Sequence, residues 1–185
     1  MRKPLKKSKK KDKTSQWIVG GILAFVLFGS IFGIVVDSIT SKPTEQKITY
    51  KGETFNLING RYYLFLGDYQ FSFANNPNEL EEINMNLTKR INSFTDLPLY
   101  IDSKDISART EIYINLDSFA QRIQLACFNE EDCNSELPLK TCQDNLIIIR
   151  NSTQNKIYEQ ENCIFIEGED LNKLADKLIL SLIGF

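Results

Sequence analysis

Cys142 to Gly168 reads CQDNLIIIRNSTQNKIYEQENCIFIEG, and its two apolar runs decide how the sheet is built. NLIIIR is almost continuously apolar, the pattern of a strand covered on both faces. NSTQN is a polar turn, KIYEQ a short strand, and CIFIE a second apolar strand. Running NLIIIR and CIFIE parallel, with KIYEQ as an excursion between them, puts Cys142 and Cys163 at corresponding strand beginnings. A bridge there needs close neighbours, with Cα atoms roughly 5.5–6 Å apart. Beyond it, Leu171, Leu174, Ala175, Leu178, Ile179 and Leu182 form the broad apolar face of a helix starting at Glu169.

All four cysteines, Cys127, Cys133, Cys142 and Cys163, lie in this half, with gaps of five, eight and twenty residues. Those gaps match neither paired C-x2-C zinc ligation nor a C-x-x-C redox pair. An even count reads as two disulfides in an oxidising compartment. Three connectivities exist, and the sheet arrangement favours Cys127 with Cys133 and Cys142 with Cys163. Neither a metal site nor a cofactor is expected. Glu130, Glu131 and Asp132 cluster inside the first loop, but the alternating, glycine-bearing ligand pattern of an EF-hand is missing.

Working upstream, Leu97–Ile101 reads as a strand and EIYINL, Glu111–Leu116, as another. Asp117 and Ser118 follow, and Gln121 stands three residues beyond Ser118, a capping-box pattern that predicts a helix through Phe128. An Asp at the carboxyl end of a strand is where α/β enzymes keep catalytic carboxylates. Asp117 with Glu167 or Asp170 is therefore the one acid pair worth testing, although a helix cap is the ordinary role of such a residue.

From Ile48 to Ala74 the pattern has period two, with turns at Lys51-Gly52, Asn59-Gly60 and Gly67-Asp68. This predicts an antiparallel meander of ITY, TFNLI, RYYLFL and YQFSFA. Tyr69, Phe71 and Phe73 share one face, the expected core face. Asn76-Pro77 opens a predicted helix whose stripe is Leu80, Ile83, Leu87, Ile91 and Phe94. Asn86-Leu87-Thr88 and Asn151-Ser152-Thr153 have the form of glycosylation acceptors, making Asn86 and Asn151 candidate modification sites.

Ahead of all this lies Trp17–Val36, WIVGGILAFVLFGSIFGIVV, twenty residues without a charge. At about 1.5 Å per residue it matches the roughly 30 Å apolar core of a bilayer. It follows eight basic residues and one acidic one, so the positive-inside rule puts the N-terminus in the cytoplasm. The run is longer than a cleaved signal's apolar region and predicts an uncleaved signal-anchor. Gly29 and Gly33 form a small-xxx-small step, compatible with close helix packing in a homodimer and equally with the ordinary abundance of glycine in spans.

The expected organisation is a basic tail (1–16), a transmembrane helix (17–36), a polar stalk (37–46) and one extracytoplasmic α+β domain (47–185), an antiparallel meander followed by a mixed-sheet βα region. The tail removes 8 of the 22 basic and 1 of the 24 acidic residues. The remainder is strongly acidic, which excludes a nucleic-acid-binding ectodomain. There is no histidine, so Ser-His-Asp and Cys-His catalysis and His-bearing zinc sites are excluded as well.

LPLKTC, NLIIIR, ENCIFIEG and ADKLILSLIGF, in that order, resemble short single-span exported proteins predicted from archaeal genomes. The resemblance covers about the last eighty residues. It implies a cysteine before one strand, another on the next, and a terminal helix ending near Gly184. It implies no activity.

These features point to a module held on the cytoplasmic membrane, its domain outside, that binds another membrane or envelope protein. An anchored carboxylate hydrolase acting on an envelope glycan is the alternative, and it requires two carboxyl groups about 5–9.5 Å apart across a cleft.

Overall fold

The turn pairs close the meander as their residue types require. Asn59 and Gly60 both take positive φ, 51° and 79°, the combination that matches the twist of a two-residue hairpin. Strands β1 (Gln46–Tyr50), β2 (Glu53–Ile58), β3 (Arg61–Leu66) and β4 (Tyr69–Phe73) pair antiparallel in that order. Phe55, Leu64, Phe71 and Phe73 are buried on the inner face, whereas Tyr69, at the strand's beginning, is exposed and lies beside Phe119.

The computed structural model describes residues 17–28, 46–81, 83, 85–128 and 133–185. It falls into two compact units, residues 1–44 and 45–185. In the first, residues 17–28 form helix α1. Among the described residues no helix is long and apolar enough to cross a membrane. The rest of the predicted span, including Gly29 and Gly33, lies outside the described residues, as do the basic tail and nearly all of the stalk.

In the second unit the chain is α+β, with the meander joined by a six-stranded mixed sheet. Its strands are β5 (Met85–Asn86), β6 (Pro98–Asp102), β7 (Arg122–Leu125), β8 (Leu146–Asn151), β9 (Lys156–Gln160) and β10 (Cys163–Gly168), in the spatial order β5-β9-β10-β8-β6-β7. β8 and β10 are parallel, the arrangement on which the Cys142–Cys163 pairing rests, in register from Leu146 with Cys163 to Asn151 with Gly168. β9 returns antiparallel on the outer side of β10. β6 lies parallel to both β8 and β7.

Helices α2 (Ile106–Leu116) and α3 (Leu171–Leu182) pack on each other and share one core with the inner faces of both sheets. Every residue of α3 but Asn172 and Lys173 is buried, the signature of a helix enclosed on all sides. The opposite face of the mixed sheet carries a smaller cluster of Tyr100, Ala126, Leu146, Ile148 and Cys163.

Two predicted elements are corrected. EIYINL is the second half of α2, not a strand. Asp105 caps that helix by accepting from Ala108 N, and Ala108, Ile112 and Leu116 recur at four-residue steps into the core. Its β-branched residues favour a strand locally, but packing overrides so weak a preference. The segment after Ser118 turns and becomes β7, not a helix. Asp117 is the C-cap of α2, its N–H donating to Tyr113 O.

The predicted helix after Asn76 is a third correction. Asn76 does accept from Asn78 N ahead of Pro77, but only a 3-10 turn (Pro77–Leu80) follows. The chain then gives β5 and a second 3-10 turn (Ile91–Phe94). Asn84, Asn86, Thr88 and Asn92 are residue types that compete for backbone hydrogen bonds and weaken a helix. Pairing of Met85 and Asn86 with Ile157 and Tyr158 takes its place, while Leu80 and Phe94 of the stripe still reach the core.

Candidate functional site

Sheet topology singles out one crevice. β6 is continued through α2 to β7 on one side, while β8 is continued through β9 to β10 on the other. Between the carboxyl ends of β6 and β8 the connections diverge, the place where open α/β sheets hold ligands. A cavity of about 100 Å³ lies there, lined by Asp102, Lys104, Asp105, Cys127, Arg150 and Asn151. Its charges face each other. Arg150 Nη2 lies 2.6 Å from Asp102 Oδ2 and Nη1 lies 3.2 Å from Oδ1. Asp102 Oδ2 also accepts from Phe128 N at 2.7 Å. The pair ties the mixed sheet to the segment entering the first cystine loop. The strand-end rule applied to Asp117 belongs to Asp102, which ends the true strand.

The predicted acid pair does not form. Asp117 ends α2, at the amino ends of β6 and β7, because Pro98 opposite Arg122 begins the ladder into which the chain next turns. Glu167 and Asp170 stand at the carboxyl end of β10, where Glu167 opposes Arg150. Glu167 is held at 2.8 Å by Lys156 Nζ and at 2.7 Å by Tyr158 Oη. The Lys156 hydrogen bond is the main cause that holds its carboxyl below the usual range. Burial, then the bond to Glu167, pushes the Tyr158 phenol up to about 12. Asp170 caps α3 through Lys173 N.

Cys127 is joined to Cys133 and Cys142 to Cys163, with Cα separations of 5.4 and 4.9 Å. Among the described residues no group of three or more Cys, Asp or Glu side chains is placed to hold a metal ion. Glu130, Glu131 and Asp132 lie outside the described residues. Asn86 and Asn151 are both exposed, Asn86 on β5 and Asn151 at the end of β8.

A second polar group joins the meander to the helices. Arg61 of β3 forks onto Glu111 of α2, Nη1 to Oε1 at 2.9 Å and Nη2 to Oε2 at 2.6 Å. Asp176 of α3 is fully buried, and its Oδ2 accepts from Asn75 N and Nδ2 at 2.8 and 2.9 Å. Burial, opposed by the Asn75 hydrogen bonds and reinforced by the Glu111 charge, pushes its carboxyl up to about 7. Sequence periodicity had no means of finding Asp176, a polar residue on a helix expected to have a solvent face.

Another concavity runs beside the sheet's far edge. A groove of about 270 Å³ is lined by Ile101, Arg109, Thr110, Tyr113, Ile123 and Leu125. Arg109, Thr110 and Tyr113 fall on one stripe of α2 by their three- and four-residue spacing. Ile123 and Leu125 face them from β7. Tyr113, 49% exposed, stands in this groove; Ile106 and Ile114 are also exposed on α2, and Leu97 and Leu139 are exposed at the opposite ends of β7.

No protein-family model, curated protein or solved structure matches this chain.

Proposed function

We propose that this chain is a membrane-anchored, extracytoplasmic binding module that recognises another membrane or envelope protein. The observation that carries the reading is the groove in which the exposed Tyr113 of α2 stands with Ile123 and Leu125 of β7, on a domain whose composition is acidic. Clustered exposed apolar side chains mark interaction surfaces, whereas singly scattered ones are ordinary. The apolar run 17–36 with its basic flank supports the anchor, and the two disulfides suit the oxidising side of the membrane. An anchor also confines module and partner to one surface, raising their effective concentration.

Two experiments test this. A photo-crosslinking amino acid placed at Tyr113, Leu139 or, on the meander, Phe65 should give one adduct of discrete mass from the first two positions in native membranes. No adduct from any exposed position sinks the binding reading. A cysteine introduced at Ser8 should react with an impermeant maleimide only after the cells are opened. Labelling in intact cells reverses the topology.

A further inference from the structure

We infer that the partner is bound as an extended, acidic segment that adds a strand to the free edge of β7, with alternate side chains in the α2 groove. The inference rests on the binding-module reading and names the chemistry of its partner.

The edge is open because of its hydrogen-bond phase. Ala126 N donates inward to Ile101 O of β6, and the next amide, Cys127 N, points outward to Pro138 O. In a strand that direction alternates, so Ile123 and Leu125 present their N–H and C=O groups outward. Spatial order ends at β7, and among the described residues no strand covers that side. Just past its end the chain supplies its own example of an added neighbour. Leu139 pairs parallel with Cys127, and Lys140 N donates to Cys127 O at 2.7 Å. A bound segment would continue that line across four residues, about 13 Å of strand.

Side chains set what fits. On the helix-covered face, every second residue of an added strand meets Ile123, Leu125 and Tyr113, which calls for apolar groups. Arg109 stands in that groove, and among the described residues its guanidinium has no hydrogen-bond or ion-pair partner. On the other face Arg122 is exposed, and among the described residues its one hydrogen-bond partner is the Tyr100 hydroxyl, at 3.1 Å. Lys140 covers the same Tyr100 ring at 4.1 Å but is already paired with Asp144 at 3.1 Å. Arg109 on one face of this edge and Arg122 on the other, neither paired with a carboxylate among the described residues, select carboxylates in a domain that is otherwise acidic. The acidic domain also disfavours a second copy of itself as the occupant.

The test is a random dodecapeptide library displayed on phage and selected on the full chain in detergent. Enriched peptides should alternate apolar with other residues and carry Asp or Glu. Arg109→Glu should weaken them at least tenfold. Ile123→Pro should do so too, since it removes an outward donor while leaving the β6 ladder intact. Binding should slow amide exchange at Ile123 and Leu125. Basic consensus peptides, equal binding to Arg109→Glu, protection elsewhere or no enrichment each overturn the inference. So does a concentration-dependent dimer abolished by Arg109→Glu, which would assign the edge to a second copy. Crosslinks confined to Phe65 with no peptide enrichment would leave a binding module and remove this site. Enrichment without any crosslink in membranes would keep the site and remove the envelope partner.

Discussion

Asn115 meets Ser72 as a neighbouring strand would. Its Oδ1 accepts from Ser72 N and its Nδ2 donates to Ser72 O, both at 2.8 Å. Asn115 is 3% exposed, so a helix side chain closes the edge of the meander and joins the second layer to the first. A sheet edge left open would be a site for pairing with other chains. The meander's β4 edge is closed in this way at Ser72, while among the described residues no strand pairs with the outer edge of β7 in the mixed sheet.

Asn115→Ala should therefore cost more than a surface hydrogen bond. It leaves the half-buried Ser72 N without its acceptor and Ser72 O with only the 3.4 Å bond from Arg61 Nη2, and an unpaired group costs about 1–3 kcal/mol. Urea unfolding should show a loss of roughly 1–3 kcal/mol on that basis. A loss within the scatter of exposed substitutions would mean that water replaces the amide and that the edge is not closed.

Gly168 ends β10 where no Cβ fits. A methyl group there would run into Asn155 Oδ1 and Leu174 Cδ1. Leu174 belongs to the buried face of α3, and Asn155 Oδ1 accepts from Glu169 N at 3.1 Å. Gly168→Ala should destabilise by about 1–3 kcal/mol, the usual cost of overpacking. Adding Asn155→Ala should recover part of that loss, because one of the two obstacles is removed. No recovery would place the whole strain on Leu174.

What is readable in the sequence follows from how local each signal is. The meander is legible because Asn59-Gly60 fixes a turn and period two then fixes the faces of both flanking strands. NLIIIR and CIFIE are legible because a short, continuously apolar run bounded by polar turns suits a strand buried on both sides. The Asn76–Phe94 and Glu111–Phe128 segments mislead because their decisive contacts are distant. Met85 pairs with Ile157, and Asn115 with Ser72. Those partners are 72 and 43 residues away, beyond any window of periodicity. The crevice and groove are farther still from being legible, since each is assembled from strands and helix termini whose order the sequence leaves open.

The Cys142–Cys163 bridge joins the beginnings of two parallel strands already in register through Leu146 and Cys163. It closes a span of 21 residues, for which chain-entropy arguments give about 3 kcal/mol. Cys127–Cys133 closes only six, so its effect on global stability should be smaller. Paired Cys142→Ala and Cys163→Ala replacement should lower Tm more than the corresponding Cys127 and Cys133 pair. Intact mass after alkylation of the denatured, unreduced protein should show no labelled thiols. Four labelled thiols would remove the oxidised-domain reading and with it the support for an extracytoplasmic location.

Asp176 gives the domain an unusual pH dependence. Its carboxyl is pushed up to about 7 in the folded state, mainly by burial, from an ordinary 3.8. One oxygen is held by Asn75, and Oδ1 is buried with no partner among the described residues. Between those two values the folded chain binds the proton and the unfolded chain does not. Stability from this group is therefore full below about pH 3.8 and falls as pH rises to about 7. Glu159 and Glu167, both held below the usual carboxylate range, work in the opposite sense and lose their contribution on acidification. The isolating measurement is the difference between the native chain and Asp176→Asn. Asn keeps an acceptor for Asn75 and cannot ionise. The variant should match the native chain near pH 4 and exceed it by a few kcal/mol at pH 8, since each pH unit between the two values contributes about 1.4 kcal/mol. A constant difference across that range would show that Asp176 does not titrate there, and would place a compensating cation or water against its free oxygen.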